Sequence, residues 1–234
     1  MILEQEAARV YVSLRAGGLA VVPTVAGYGM VALEPSAVAR IYALKGRPAS
    51  KPCVTVTTWP IFDAIAAPID PAVRRWVTEV TRWSPLALVA PVHSGSALLA
   101  ALHPFVRAQC TRDATVATFH MAGPLVNRVA ELAFADGRLL VGSSGNRSGC
   151  GNAYTLDEVA AGDTADVVVD VGPIPMPDGT RSATTMLDLS TGRFLREGLH
   201  FAALAASWAR VGTQRGALSG DRLRAVTHPV TAPV

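Results

Sequence analysis

The feature that most constrains the fold is a set of short apolar runs, LAVVP (19–23), LALVAPV (86–92), ATVATF (114–119) and GRLLVGS (137–143), each bounded by glycine, proline or small polar residues. Runs this short are buried strands rather than helices. Between them lie stretches of helical period, so strands and helices alternate. The last strands, DVVVDVG, TTMLDL and RFLRE, follow one another with little helix between, so not every strand pair has a crossover helix. The expected class is therefore α/β, with a twisted mixed β-sheet flanked by helices. Half of the residues are apolar and 17% are charged, enough to bury a sizeable core and too apolar for a disordered chain.

Local signals place the other elements. Residues 4–16 read as an amphipathic helix stopped by Gly17-Gly18, followed after strand 19–23 by a glycine-rich turn, TVAGYGM. Helices are expected at 35–44, 59–66, 71–82, 94–109, 125–135 and 200–210, and a further strand at 52–58. A short helix at 156–161 carries a capping-box pattern, Thr155 with Glu158. One domain over 1–210 and a loosely ordered tail over 211–234 are expected. Trp59, Trp76, Trp83 and Trp208 fall on helices or their ends and are expected to pack the core. The three cysteines lack any CxxC spacing and the five histidines lack ligand spacing, so neither a disulfide framework nor a bound metal is expected. A reducing, cytoplasmic setting fits, and no apolar run is long enough to cross a membrane.

Three polar constellations sit at strand ends, where open α/β sheets place ligands. The first is PTVAGYGM (23–30) with KGRPASKP (45–52). Of 21 basic residues only Lys45 and Lys51 are lysine, and both lie in this second stretch with Arg47. A solvated helix C-terminus explains one cation there, but three around Gly46 and Pro48 suit phosphates better. The second is GSSGNRSG (142–149), whose hydroxyl and amide groups beside glycines can bond a phosphate or a base edge. It fits neither G-x-S-x-G nor a P-loop, and alone it reads as an ordinary turn. The third is RSATTMLDL with REG (181–198), which alone means little.

Taken in order, these pieces resemble the YrdC-like family, which includes the threonylcarbamoyl-adenylate synthases. The family pattern runs PTDTVYGL, KGRP-x-x-KP, SAN-x-SG, STVVD and REG. Here it reads PTVAGYGM, KGRPASKP, SSGNRSG, ATTMLD and REG, over about residues 18–198. The resemblance implies a twisted sheet with a large concave cavity. It also implies a reaction joining threonine, bicarbonate and ATP into threonylcarbamoyl-AMP and pyrophosphate, for tRNA modification, with Mg²⁺ assisting. By position, Lys45 and Arg47 would grip the triphosphate as catalytic residues. Thr24, Lys51, Thr115, Ser144, Asn146 and Arg196 would complete the nucleotide site. Ala26, Tyr28, Val56, Phe119, Ser182 and Thr184 would face the acceptor. Fixed cations and donors suffice for such chemistry, because charge builds on phosphate oxygens and departing pyrophosphate.

The departures cluster on the acceptor side. Val25 and Ala26 replace Asp and Thr of PTDT, Phe119 stands where the family usually has arginine, and Val56 where synthases often have histidine. Losing an arginine that pairs with a carboxylate costs about 2–5 kcal/mol when the partner stays buried. The expected activity is thus adenylate formation with ATP and a small amino acid or amine with bicarbonate, the acceptor being less polar than threonine. A carbamoyl-adenylate former in small-molecule biosynthesis is a variant of this reading. The reading from another class is a non-catalytic module that binds RNA or a nucleotide, which steep salt dependence would reveal.

Overall fold

The computed structural model describes residues 2–177 and 179–211. Helices are α1 (Ile2–Arg15), α2 (Pro35–Lys45), α3 (Trp59–Ile65), α4 (Pro71–Val80), α5 (Ala97–Ala101), α6 (Pro104–Cys110), α7 (Pro124–Ala135) and α8 (201–211). Strands are β1 (Ala20–Thr24), β2 (Gly27–Ala32), β3 (Val54–Val56), β4 (Leu86–Pro91), β5 (Thr111–Arg112), β6 (Thr115–His120), β7 (Val141–Ser144), β8 (Val167–Val168), β9 (Met186–Asp188) and β10 (Arg193–Arg196). They form one mixed sheet in the order β10-β9-β4-β6-β3-β7-β2-β1-β8, with β5 paired to β6.

Most expected elements form, and the differences have local causes. The glycine-rich stretch after β1 is not a long turn. Chain reversal takes place at Val25–Ala26, and Gly27–Ala32 continues as a fully buried strand antiparallel to β1. Gly27 permits this, since its φ is +98° and a Cβ there would lie 2.4 Å from the Ala153 carbonyl oxygen. Thr24 pins the turn, its Oγ1 donating to Gly27 O (2.6 Å) and accepting from Ala26 N (3.1 Å).

The helix expected over 94–109 is two short helices, because Pro104 cannot extend α5 and instead starts α6. Residues 156–158 make one 3-10 turn held by the expected capping box of Thr155 and Glu158. The strand expected over 137–143 begins at Val141, although Leu139 and Leu140 are already buried.

Trp76 is buried against Trp208, their ring centroids 4.8 Å apart, and Trp59 is half-buried beside Phe62. Trp83 departs from expectation: it follows the end of α4 and stays 45% exposed, with one face against His200. Val211 is buried at the end of α8. Residues 212–234, where a loose tail is expected, lie outside the described residues. No helix among the described residues is long and apolar enough to cross a membrane.

Pairing directions decide where the polar segments meet. β3 runs parallel to β6 and antiparallel to β7, with Val54 opposite Gly142. The C-terminal end of β7 therefore shares a sheet edge with the N-terminal starts of β3 and β6. Ser144, Val54 and Thr115 are gathered there from distant parts of the chain.

Candidate active site

At this edge lies a cleft of about 650 Å³. Four cations line it: Arg47 and Lys51 from the loop between α2 and β3, Arg112 from β5 and Arg196 from β10. Asp113 is the one carboxylate among its lining residues, and it is 3.6 Å from Arg112. Among the described residues no carboxylate pairs with Arg47, Lys51 or Arg196. Arg47 is held by its own loop, Nε donating to Lys51 O (3.1 Å) and Nη2 to Pro52 O (2.6 Å). Arg112 is fastened to the same loop through Ser50 O. Arg196 donates from Nε to Thr184 O (2.7 Å), and among the described residues neither Nη group has a partner. Partial burial and the nearby Arg47 charge lower the Arg196 pKa. Like charges held together without counterions favour a polyanion. The remaining wall is aliphatic, with Val89, Ala117, Met186 and the exposed Leu195.

Ser143, Ser144, Gly142 and Val54 also line a second, smaller pocket of about 80 Å³, so the two concavities share a wall. This pocket is faced by Thr24, Ala26, Tyr28, Val56, Phe119 and Thr184. No charged side chain lines it among the described residues. Tyr28 is buried and its hydroxyl points to the β8 side, donating to Gly172 O (2.7 Å) and accepting from Val171 N (3.1 Å). Desolvation raises its pKa, so the hydroxyl stays neutral. Thr184 is placed by the strand register and by Gly198, where a Cβ would overlap the Ala183 carbonyl oxygen at 1.9 Å. The glycine of REG is thus sterically required.

The site residues read from the sequence divide into three groups. Arg47, Lys51, Thr115, Ser144 and Arg196 meet at the cleft, and Thr24, Ala26, Tyr28, Val56, Phe119 and Thr184 meet at the pocket. Lys45, Asn146 and Ser182 line neither. Lys45 is 3% exposed, and its ammonium lies under the loop after β7, donating to the carbonyls of Ser144 and Asn146 and to Ser144 Oγ (3.3 Å). Its own carbonyl accepts from Ser148 N (2.9 Å). Burial and the Arg47 charge bring its pKa down to about 8. In this geometry Lys45 shapes the loop instead of reaching the cleft. Asn146 also binds its own loop, Nδ2 donating to Arg147 O (2.8 Å) and Cys150 O (2.6 Å). Ser182 shares a hydrogen bond with Thr180 (2.5 Å).

Sequence reasoning missed Arg112, Ser143 and Asn152. Arg112 carried a signal, standing three residues before Thr115 on one hairpin, where a cation shares the edge. Asn152 was readable only as part of a polar loop. It is buried and donates from Nδ2 to Ala26 O (2.8 Å).

Comparisons with known proteins agree with this architecture. A family profile described as Sua5/YciO/YrdC, telomere recombination, matches residues 12–198. Pyrococcus abyssi Sua5, solved in complex with L-threonine, is 24% identical with a TM-score of 0.64, over 83% of this chain and 54% of that one. This chain thus spans about half of that Sua5. A hypothetical Streptococcus mutans protein, smu.1377c, gives a TM-score of 0.72 at 16% identity, over 86% of this chain and 89% of that one. Full-length HypF in a phosphate- and nucleotide-bound form gives 0.61 at 17% identity, over 82% of this chain and 29% of that one. No curated protein sequence matches the chain. At these identities the likenesses are of fold, whereas the profile extends over most of the motifs described above. The chain belongs to the Sua5/YciO/YrdC family.

Proposed function

We propose that the chain binds ATP in the cationic cleft and activates a small acceptor on the α-phosphate, in a reaction of the threonylcarbamoyl-AMP synthase type whose acceptor is less polar than threonine. The observation that carries this reading is the arrangement of four cations and an aliphatic wall opening, at Ser143–Ser144, onto an uncharged pocket. Arg47, Lys51, Arg112 and Arg196 suit the triphosphate, and Val89, Ala117, Met186 and Leu195 suit a base. The shared wall is where the α-phosphate meets the acceptor. Positive charge fixed beside the departing pyrophosphate lowers the barrier without a protein nucleophile.

Two relatives support the ligand classes: the Pyrococcus abyssi structure contains L-threonine and the HypF structure a nucleotide. The acceptor is where this chain differs. A zwitterion placed in the small pocket would lose water from both charges and meet no counterion, a cost of several kcal/mol per buried ion in order of magnitude. Bicarbonate as carbamoyl source, and carbamoyl-adenylate formation for small-molecule synthesis, keep the same nucleotide chemistry. Mg²⁺ fits as a companion of ATP, since it is bound through substrate phosphates with few protein ligands. When bound it would neutralise phosphate charge, with Asp113 the carboxylate within the cleft lining.

The test is pyrophosphate release from ATP and bicarbonate with threonine, then with a panel of amino acids, amines and amides. Release with a less polar acceptor, lost in Arg47→Ala, is expected. Release that depends on threonine alone would refute the acceptor argument. No release with any acceptor, together with binding of RNA that weakens steeply with salt, would leave a non-catalytic module.

A further inference from the structure

The small pocket contains few hydrogen-bonding atoms that are not already spoken for. Thr24 Oγ1 is committed to the turn, Tyr28 OH to Gly172 O, and Ser144 Oγ to Lys45. Three atoms have no hydrogen-bond partner among the described residues: Ser143 Oγ, Thr184 Oγ1 and Asn152 Oδ1. Thr184 and Asn152 are 7% and 8% exposed, so neither is an ordinary surface group. The Asn152 amide has a fixed orientation, because Nδ2 donates to Ala26 O (2.8 Å). That bond uses the donor end and leaves Oδ1, a pure acceptor. Oδ1 is not fully enclosed, so a ligand donor meeting it replaces water and gains about 0.5–1.5 kcal/mol net. Around these atoms stand Ala26, Val56, Ala87, Phe119 and Val126.

We infer that Asn152 is the specificity-determining residue of the acceptor pocket, and that the end of the acceptor lodged there is a short, uncharged aliphatic group bearing an N–H or O–H. This rests on the proposed function, in which the small pocket receives the acceptor. Asn152 Oδ1 takes the donor hydrogen, and the hydroxyls of Ser143 and Thr184 serve an acceptor atom on the same group. Neutral partners with one acceptor and two hydroxyls match an amide or alcohol. They give a carboxylate or an ammonium no opposite charge. The volume of about 80 Å³ limits the group to a few heavy atoms.

The probes are isobutyramide, isobutyrate, isobutylamine and L-threonine, each titrated by ligand-observed NMR into the full chain with and without saturating ATP. Isobutyramide is expected to bind at least about tenfold more tightly than either charged analogue or threonine. In Asn152→Asp the order between isobutyramide and isobutylamine is expected to reverse, with the melting temperature recording whether the variant folds. Wild-type preference for isobutyrate or isobutylamine overturns the inference, with or without a folded variant, and threonine preference overturns the acceptor argument of the proposed function. So does a folded Asn152→Asp that keeps the wild-type order. ATP titrated separately tests the proposed function: absent ATP binding defeats that reading, whereas wild-type preference for a charged probe with ATP bound defeats only this one.

Discussion

Acid should unfold this protein through His120, and the size of the effect follows from its surroundings. His120 ends β6, is buried, and packs between Trp59 and Phe62 at centroid distances of 5.5 and 5.3 Å. Its Nε2 is 3.2 Å from Thr118 Oγ1, and among the described residues no carboxylate pairs with the ring. Burial alone brings its pKa from 6.5 down to about 4. The folded state therefore refuses a proton that the unfolded chain accepts below 6.5. Stability is unaffected above 6.5, falls as the pH drops from 6.5 towards 4, and loses nothing further below 4. At pH 4.5 the difference in binding amounts to nearly two pH units, or about 2.5 kcal/mol. Urea unfolding of wild type and His120→Phe at pH 7 and pH 4.5 isolates this share, since the carboxylates common to both proteins cancel. Wild type is expected to lose about 2.5 kcal/mol more than the variant between the two pH values. Equal losses would show that His120 is protonated in the folded protein, or that the ring is less enclosed than its neighbours indicate.

Three further outcomes follow from the site. Arg47→Ala and Arg196→Ala should each weaken ATP binding by about 1.5–3 kcal/mol, roughly ten- to a hundredfold, in calorimetric titration, with a modest fall in melting temperature because the Lys51, Pro52 or Thr184 carbonyl loses a donor. Lys45→Met should instead act mainly on the protein, because two carbonyls and a hydroxyl lose their donor; a lowered melting temperature and faster proteolysis within 144–152 are expected, and ATP affinity lost with unchanged stability would place Lys45 in the cleft. Gly27→Ala should cost several kcal/mol in urea unfolding, since its Cβ meets the Ala153 oxygen at 2.4 Å in a left-handed backbone, and a neutral result would mean the Val25–Ala26 turn can shift.

The sheet was legible because its strands are short apolar runs with clear punctuation, and helix starts were legible from Pro35 and Pro71 at first turns. β2 was misread because its glycines signal a turn locally. What makes Gly27–Ala32 a strand is burial between β1 and β7, a contact over more than a hundred residues. The same non-locality hid part of the site. Lys45 and Arg47 are two residues apart, yet α2 ends between them at Gly46, whose left-handed φ of 57° sends one side chain under the loop and the other into the cleft. A sequence pattern lists both cations and does not say which side of the backbone each takes.

The loop 144–152 explains why these departures matter together. Ser144 lines both the cleft and the pocket, Asn152 lines the pocket, and Lys45 bonds residues 144, 146 and 148 from beneath. Arg196 adds a second link, since it faces the cleft while holding the carbonyl of Thr184, which faces the pocket. Under the proposed function, phosphate drawing on Arg196 would pull on the backbone of Thr184. On that reading, nucleotide and acceptor sites joined by two such links would share one positional tolerance. A change of acceptor could then be made at Val56 and Phe119, which touch neither link, and at Ala26, which meets Asn152 of the loop through its backbone carbonyl, while the residues proposed to carry phosphate stay fixed. That is the pattern of retained and altered residues in this chain.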